Sequence, residues 1–299
     1  PRVRKLQRIL EFPMRLSICP LVSCIGRNSI LNLQRRIGFD AGIGNLEDVL
    51  RWATDNEFYF VDFNVDKGSN HLDLWDKNRI RNIRETCEKN GLSIGLHTLS
   101  AVNVAEYSPY VTEGVDNYMV GCVDLANSLG CSWIVVHAGY HFTSDYKDRK
   151  KAALDRLKRL GDYASRKGQK LLLENLNFEP KKSEVKYLAY SIDECKYFFD
   201  QISPELLGWA FTVNHSNLVP EGIAGFIDTF GIDRIGEVRL ADNKGDYEVH
   251  MIPGEGIINF KNMFKKIESK GYSGHYSMAY GNNDEKMKSR LDLCKLFDG

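Results

Sequence analysis

Two hydrophobic rhythms alternate along this chain. Short runs rich in β-branched and aromatic residues, at 14–19, 58–63, 92–97, 132–137, 170–174, 207–213, 235–240 and 274–280, are too short for helices and read as strands. Between them apolar positions return every three or four residues, which predicts helices over 46–56, 77–90, 114–129, 146–167, 192–201, 221–230, 260–270 and 284–297. In the longest of these, Leu154, Leu157 and Leu160 share one face, with Arg156, Lys158 and Arg159 opposite. Gly91, Gly130, Gly168 and Gly271 stand where helices are expected to end in a left-handed residue. Eight strands alternating with eight helices predict an α/β protein that is a single (β/α)8 TIM barrel. An open doubly wound sheet would bring a glycine-rich loop after its first strand, and Cys19-Pro20-Leu21-Val22-Ser23 stands there instead.

Composition narrows the class without naming an activity. The 299 residues include 40 Lys+Arg against 40 Asp+Glu, a net charge of zero, and 43% are hydrophobic. That balance fits a globular protein and speaks against a dedicated partner of nucleic acid or of a membrane surface. No apolar run approaches the roughly 18–20 residues a bilayer span requires. Seven scattered cysteines with no C-x-x-C are expected to be reduced thiols in a cytoplasmic protein. The start, Pro1-Arg2-Val3-Arg4-Lys5, is basic without an apolar core, so it is not read as a secretory signal. Residues 1–13 are expected to be an extension, with the barrel domain over 14–299. Lys-rich stretches such as 147–151 read as solvated helix faces, and Trp52, Trp75, Trp133 and Trp209 as core or interface residues rather than sugar-stacking platforms.

In a barrel of this kind the chemistry lies at the carboxyl ends of the strands. Those positions hold His97, His137 and Glu174, and His215, Arg239, Asp242, Glu248 and His250 follow closely on later strands. A single histidine beside an apolar strand is ordinarily a hydrogen-bonded structural residue. Glu174 is sharper, because a carboxylate after three leucines has to be paired, metal-bound or shifted in pKa. Asn175 and Asn177, just beyond it, suit hydroxyl binding. The turn Pro253-Gly254-Glu255-Gly256 reads as an entry to the last helices, with phosphate cradling as the minor alternative.

Taken in order, His97, Val135-Val136-His137-Ala138-Gly139, Leu173-Glu174-Asn175, His215, Arg239-Leu240-Ala241-Asp242-Asn243 and His250-Met251-Ile252-Pro253-Gly254-Glu255-Gly256 resemble the xylose isomerase-like TIM-barrel superfamily. The likeness runs over nearly the whole chain from Met14. That superfamily includes sugar and sugar phosphate isomerases and epimerases, hydroxypyruvate isomerase, inosose dehydratase and the endonuclease IV type of nuclease. The resemblance implies one divalent metal held by Glu, Asp, His and Glu, with carboxylates moving a proton beside a carbonyl. Glu174 matches the first ligand, but Thr212, Arg239 and Ala279 stand at the other three positions, so the usual four-ligand site is expected to be lost.

Two readings of the site follow. In one, a divalent metal (zinc, manganese or magnesium) has moved onto positions resembling the additional ligands of the endonuclease IV type: His97 and His137 beside Glu174, with His215, Glu248 and His250 as a second group. In the other no metal binds, and Arg239 clamps a substrate anion while His137 or His215 relays a proton with Glu174. A salt bridge from Arg239 to Glu174 or Asp242, filling an emptied site, is the bland alternative. The expected catalytic set is Glu174, His137, His215 and Arg239, with His97, Asn175, Asn177, Asp242 and His250 binding substrate. The expected function is a sugar isomerase or epimerase, acting by proton transfer beside the carbonyl of a small polyhydroxylated or keto-acid substrate. A dehydratase or lyase of the same superfamily and a non-catalytic sugar-binding barrel remain the alternatives. Nucleic acid and membrane are not expected partners, and a homo-oligomer is left open.

Overall fold

The computed structural model describes residues 33–65 and 68–298. Its strands in chain order are β1 (Ile37–Asp40), β2 (Phe60–Asn64), β3 (Ser93–His97), β4 (Trp133–Val136), β5 (Tyr140–Phe142), β6 (Leu171–Glu174), β7 (Val185–Tyr187), β8 (Gly208–Thr212), β9 (Ile235–Leu240) and β10 (His275–Met278). Eight of them close a parallel barrel in the order β1-β10-β9-β8-β6-β4-β3-β2, while β5 and β7 form a separate two-stranded antiparallel ribbon. The expected (β/α)8 architecture is the one observed. The ring closes where Ile37, Gly38 and Phe39 register against Tyr276, Ser277 and Met278.

The first barrel strand is β1, a segment that the hydrophobic pattern does not single out. It is four residues long, and its Ile37 and Phe39 are buried. Gly38 lies where a Cβ would come 2.2 Å from the carbonyl oxygen of Phe60. A strand this short, with a glycine in the middle, shows only one period of alternation. The strand expected at 14–19 and the extension expected at 1–13 lie outside the described residues.

The helices follow the predicted pattern closely. Lys77–Asn90 begins at Asp76, whose carboxylate accepts from the amides of Asn78 and Arg79 at 2.8 Å, and ends at Gly91 with φ +65°. Tyr146–Arg166 buries Leu154, Leu157 and Leu160 as expected. Two of its basic residues depart from the solvated face assigned to them. Arg156 is buried with Nε 2.6 Å from Asp116 and its Nη1 on the carbonyls of Val104 and Glu106, and Arg149 is buried against Asp145 and Glu106. Their planar forks hold loop groups in place, backbone carbonyls for Arg156 and carboxylates for Arg149. The described cysteines, Cys87, Cys122, Cys131, Cys195 and Cys294, are all buried. Among the described residues no helix is long and apolar enough to cross a membrane.

Apolar packing divides in two. The larger cluster fills the layer between strands and helices; a second, inside the barrel, joins Trp133, Val135, Leu172 and Ala210, with Phe60 against them. Above this plug the inward positions of the strands turn polar. His275 marks the boundary: its ring stacks on Phe60 at 4.6 Å and lies 4.2 Å from Trp133, with Nε2 3.3 Å from Glu237 Oε2.

Burial drives the His275 pKa down to about 4, so the folded protein holds it neutral. The unfolded chain takes up that proton near pH 6.5. Its contribution to stability is therefore complete above pH 6.5 and is lost as pH falls toward 4, by roughly 3 kcal/mol. Urea titrations of wild type and His275→Asn between pH 4 and 7 check this. The gap between the two proteins should narrow with acid, and a constant gap would show that His275 is not held neutral.

Candidate active site

The cavity at the carboxyl ends of the strands has a volume of about 260 Å³ and is lined by Asp40, Asn64, His97, Thr98, Leu99, Ser100, His137, Glu174, Leu176, Asn177, Tyr187, His215, Arg239 and His250. Strand alternation explains the gathering. Asp40, Asp62, His97, Glu174, Thr212 and Arg239 lie at or near the last inward position of their strands, so closing the ring brings six elements onto one point.

Glu174 sits at the centre. Its Oε2 lies 3.1 Å from His137 Nε2 and 3.4 Å from His97 Nε2, and the two imidazole nitrogens are 3.0 Å apart. Its Oε1 accepts from the Thr212 hydroxyl at 2.6 Å and lies 3.7 Å from both Arg239 Nε and His215 Nδ1. Burial works against the charge on Glu174, but the bonds to His137 and His97 and the charge of Arg239 outweigh it and hold the carboxyl well below its usual range. His97 is likewise opposed by burial and by Arg239, yet the carboxylates of Asp40 and Glu174 raise it to about 9, while burial lowers His137.

A second group lies beside the first. His215 Nε2 is 3.0 Å and His250 Nε2 2.6 Å from the same oxygen, Glu248 Oε1. Each ring is oriented by its other nitrogen, since His215 Nδ1 donates to the carbonyl of Asn175 at 2.8 Å and His250 Nδ1 to that of Ala279 at 2.5 Å. With Nδ1 protonated, both Nε2 atoms point lone pairs or protons at a carboxylate that can only accept. Positive charge has to lie between them, as protons on the rings or as a cation. Burial opposes the charge on Glu248, but hydrogen bonds from His215 and His250 dominate and bring its pKa down to about 2.

Both groups have the chemistry of a metal centre. The ligand atoms of His97, His137 and Glu174, and separately those of His215, Glu248 and His250, lie within 4.8 Å of one another. In the first, edges of 3.0, 3.1 and 3.4 Å put each donor roughly 1.8 Å from the middle of their triangle, inside the ~2.0–2.1 Å reach of a zinc–nitrogen bond. The buried His97 Nδ1 is without a hydrogen bond, 3.6 Å from Asp40 Oδ2, close to the carboxylate backing common for metal-binding histidines. The four-ligand set does not fit: Thr212 is hydrogen-bonded to Glu174, Arg239 is a cation, and Ala279 offers only its carbonyl to His250.

Other expected site residues are placed differently. Asn177 lines the cavity, its amide on Glu179 at 2.7 Å. Asn175 does not line it: its Oδ1 accepts from Trp209 Nε1 and the Thr212 amide, and its Nδ2 donates to the Thr212 carbonyl, tying β6 to β8. Asp242 is buried outside the cavity and accepts from the amides of Asn243, Gly254, Gly256 and Ile258. The turn read as an alternative phosphate cradle is therefore occupied by a carboxylate of its own chain. Arg239 faces the cavity but is only 2% exposed, and its Nη atoms are engaged by Asp40, Asp62 and Glu237. Its neighbours Asp40, Asp62 and Glu237, and the rim residue Asn64, were not singled out from the sequence. Their signal is a polar residue at alternate positions of an apolar strand, as in Phe60-Val61-Asp62-Phe63-Asn64.

The ring of eight parallel strands thus carries paired histidines and a central glutamate at its carboxyl end. The family model described as "Xylose isomerase-like TIM barrel" matches residues 50–296, and the chain belongs to that family. It is 26% identical over 222 residues to an uncharacterised protein of Methanocaldococcus jannaschii, covering 71% of this chain and 72% of that one. It is 25% identical over 156 residues to fructoselysine 3-epimerase of Shigella flexneri, covering 51% of this chain and 54% of the relative. Among solved structures, a D-tagatose 3-epimerase-like protein superposes with a TM-score of 0.76 at 22% identity, over 87% of this chain and 96% of that one.

Proposed function

We propose that the protein is a divalent-metal-dependent sugar isomerase or epimerase, moving a proton beside the carbonyl of a small polyhydroxylated or keto-acid substrate. The observation that carries this reading is the convergence of His97 Nε2, His137 Nε2 and Glu174 Oε2 within 3.4 Å of one another at the cavity floor. The similarity to fructoselysine 3-epimerase and to a D-tagatose 3-epimerase-like protein supports the same class. A cation on these three residues would supply Lewis-acid polarisation of the substrate carbonyl.

The geometry supports Glu174 as a ligand rather than the base. A carboxylate fixed by Thr212 and held well below its usual pKa is a weak proton acceptor near neutral pH. His137 is drawn into the same group. The proton relay falls to His215 and His250, whose imidazoles share the Glu248 carboxylate, and the His250 side chain is 40% exposed. Asn64, Asn177 and Tyr187 offer hydrogen-bonding groups for hydroxyls along the wall. The charge balance favours a cation too. Asp40, Asp62, Glu174 and Glu237 surround one guanidinium, and even with Asp62 pushed well up by burial and by Glu237, carboxylates outnumber it.

Metal analysis of the purified protein, followed by incubation with a panel of ketoses and ketose phosphates in D2O, tests the reading. Bound divalent metal and solvent deuterium at the carbon beside the carbonyl are expected. Chelation should remove that incorporation, and manganese or zinc should restore it. Protein that takes up no metal and exchanges no substrate proton in any metal would end this reading, and retained sugar binding would then favour a non-catalytic barrel.

A further inference from the structure

The group that is hardest to explain as a substrate contact is the one buried beneath the cavity. Four carboxylates from four strands converge on the guanidinium of Arg239. Asp40 Oδ2 lies 2.5 Å from Nη2, Asp62 Oδ2 and Glu237 Oε1 lie 2.9 and 2.8 Å from Nη1, and Glu174 Oε1 lies 3.7 Å from Nε. Asp62 is fixed further by Trp133 Nε1 at 2.7 Å and by the Ser277 hydroxyl at 2.8 Å. Carboxylates gathered this closely repel one another unless a cation stands among them. An all-oxygen donor set is what a hard metal ion takes, and here a side chain fills it.

We propose that Arg239 is a resident cation. Its guanidinium occupies a carboxylate cage in the cavity floor and supplies a positive charge that no chelator removes. It is also a positioning residue for Glu174, its charge 3.7 Å from Oε1 adding to the Thr212 hydroxyl at 2.6 Å in holding that oxygen to one side so that Oε2 faces His97 and His137. Arg239 is then no clamp for a substrate anion, because both its Nη atoms are held by carboxylates and its Nε is buried. The cage goes beyond the metal-dependent reading of the site, since it holds its charge whether or not the imidazoles bind an ion.

Arg239→Ala opens the cage and tests this in full-length protein. Guanidinium chloride at low millimolar concentration should raise the thermal midpoint of the variant by several degrees over matched sodium chloride and leave wild type unmoved. Manganese counted by electron paramagnetic resonance should show one more ion per chain in the variant than in wild type. A folded variant that ignores guanidinium and gains no manganese overturns the cage. Should the variant not fold alone, refolding from urea with guanidinium or manganese, but not sodium, supports the proposal, and failure with all three overturns it.

Positioning is read from the visible spectrum of cobalt-loaded protein. That spectrum should change in Arg239→Ala and return with guanidinium; an unchanged spectrum overturns the positioning role. Wild type that takes no cobalt overturns positioning and, with it, the metal reading under Proposed function, whereas the guanidinium and manganese results still decide the cage.

Discussion

Glu174→Gln should weaken binding of divalent metal by more than roughly 100-fold and lower substrate deuterium exchange by on the order of a thousandfold. The substitution keeps the shape of the side chain and an oxygen to accept from Thr212, so the barrel should still close. What disappears is the negative charge shared by His97 and His137 on one side and faced by Arg239 and His215 on the other. Equilibrium dialysis against zinc or manganese, with exchange followed by mass spectrometry, gives both numbers. A variant that keeps wild-type metal affinity and exchange would remove Glu174 from the centre of the chemistry.

The second large effect is steric. Gly95 lies on β3 facing the barrel axis, and a Cβ there would come 2.1 Å from the Trp133 indole and 2.5 Å from Asp62 Oδ1. Gly95→Ala is expected to destabilise the fold by roughly 3 kcal/mol or more, an overpacking cost at the upper end of the usual range. The harm should reach the site as well. Trp133 holds Asp62, Asp62 holds Arg239, and Arg239 faces Glu174, so a displaced indole shifts the whole chain of contacts. A thermal midpoint about 6–12 °C lower would match that cost for a domain of this size. Unchanged stability would mean the interior can make room that its packing does not show.

Much of this architecture is legible in the sequence. Seven of the eight barrel strands lie within predicted spans to a residue or so, because parallel strands buried on both faces announce themselves as dense apolar runs between amphipathic helices. β1 was not legible, since Ile37-Gly38-Phe39-Asp40 is too short to show a period. The two clusters of imidazoles and carboxylates are what the resemblance to the endonuclease IV type implies, and in the structure the ligand atoms of each set lie within 4.8 Å of one another. Asn175 and Asp242 show the limit of such reasoning. Both sit close to strand ends among functional side chains, yet Asn175 is taken up by Trp209 Nε1 and the Thr212 backbone, and Asp242 by the amides of Asn243, Gly254, Gly256 and Ile258.

Position along the strand follows from alternation, a local property, and so which residues stand at the mouth of the ring could be read from the chain alone. How a charged side chain is answered there is not local. Arg239 meets Asp40 across 199 residues and Asp62 across 177, and whether its guanidinium reaches a substrate or a cage of carboxylates depends on ring closure and on the room left by Gly95 beside Trp133. Electrostatic partners are chosen by distance in space, and a few ångströms decided between clamp and counter-ion.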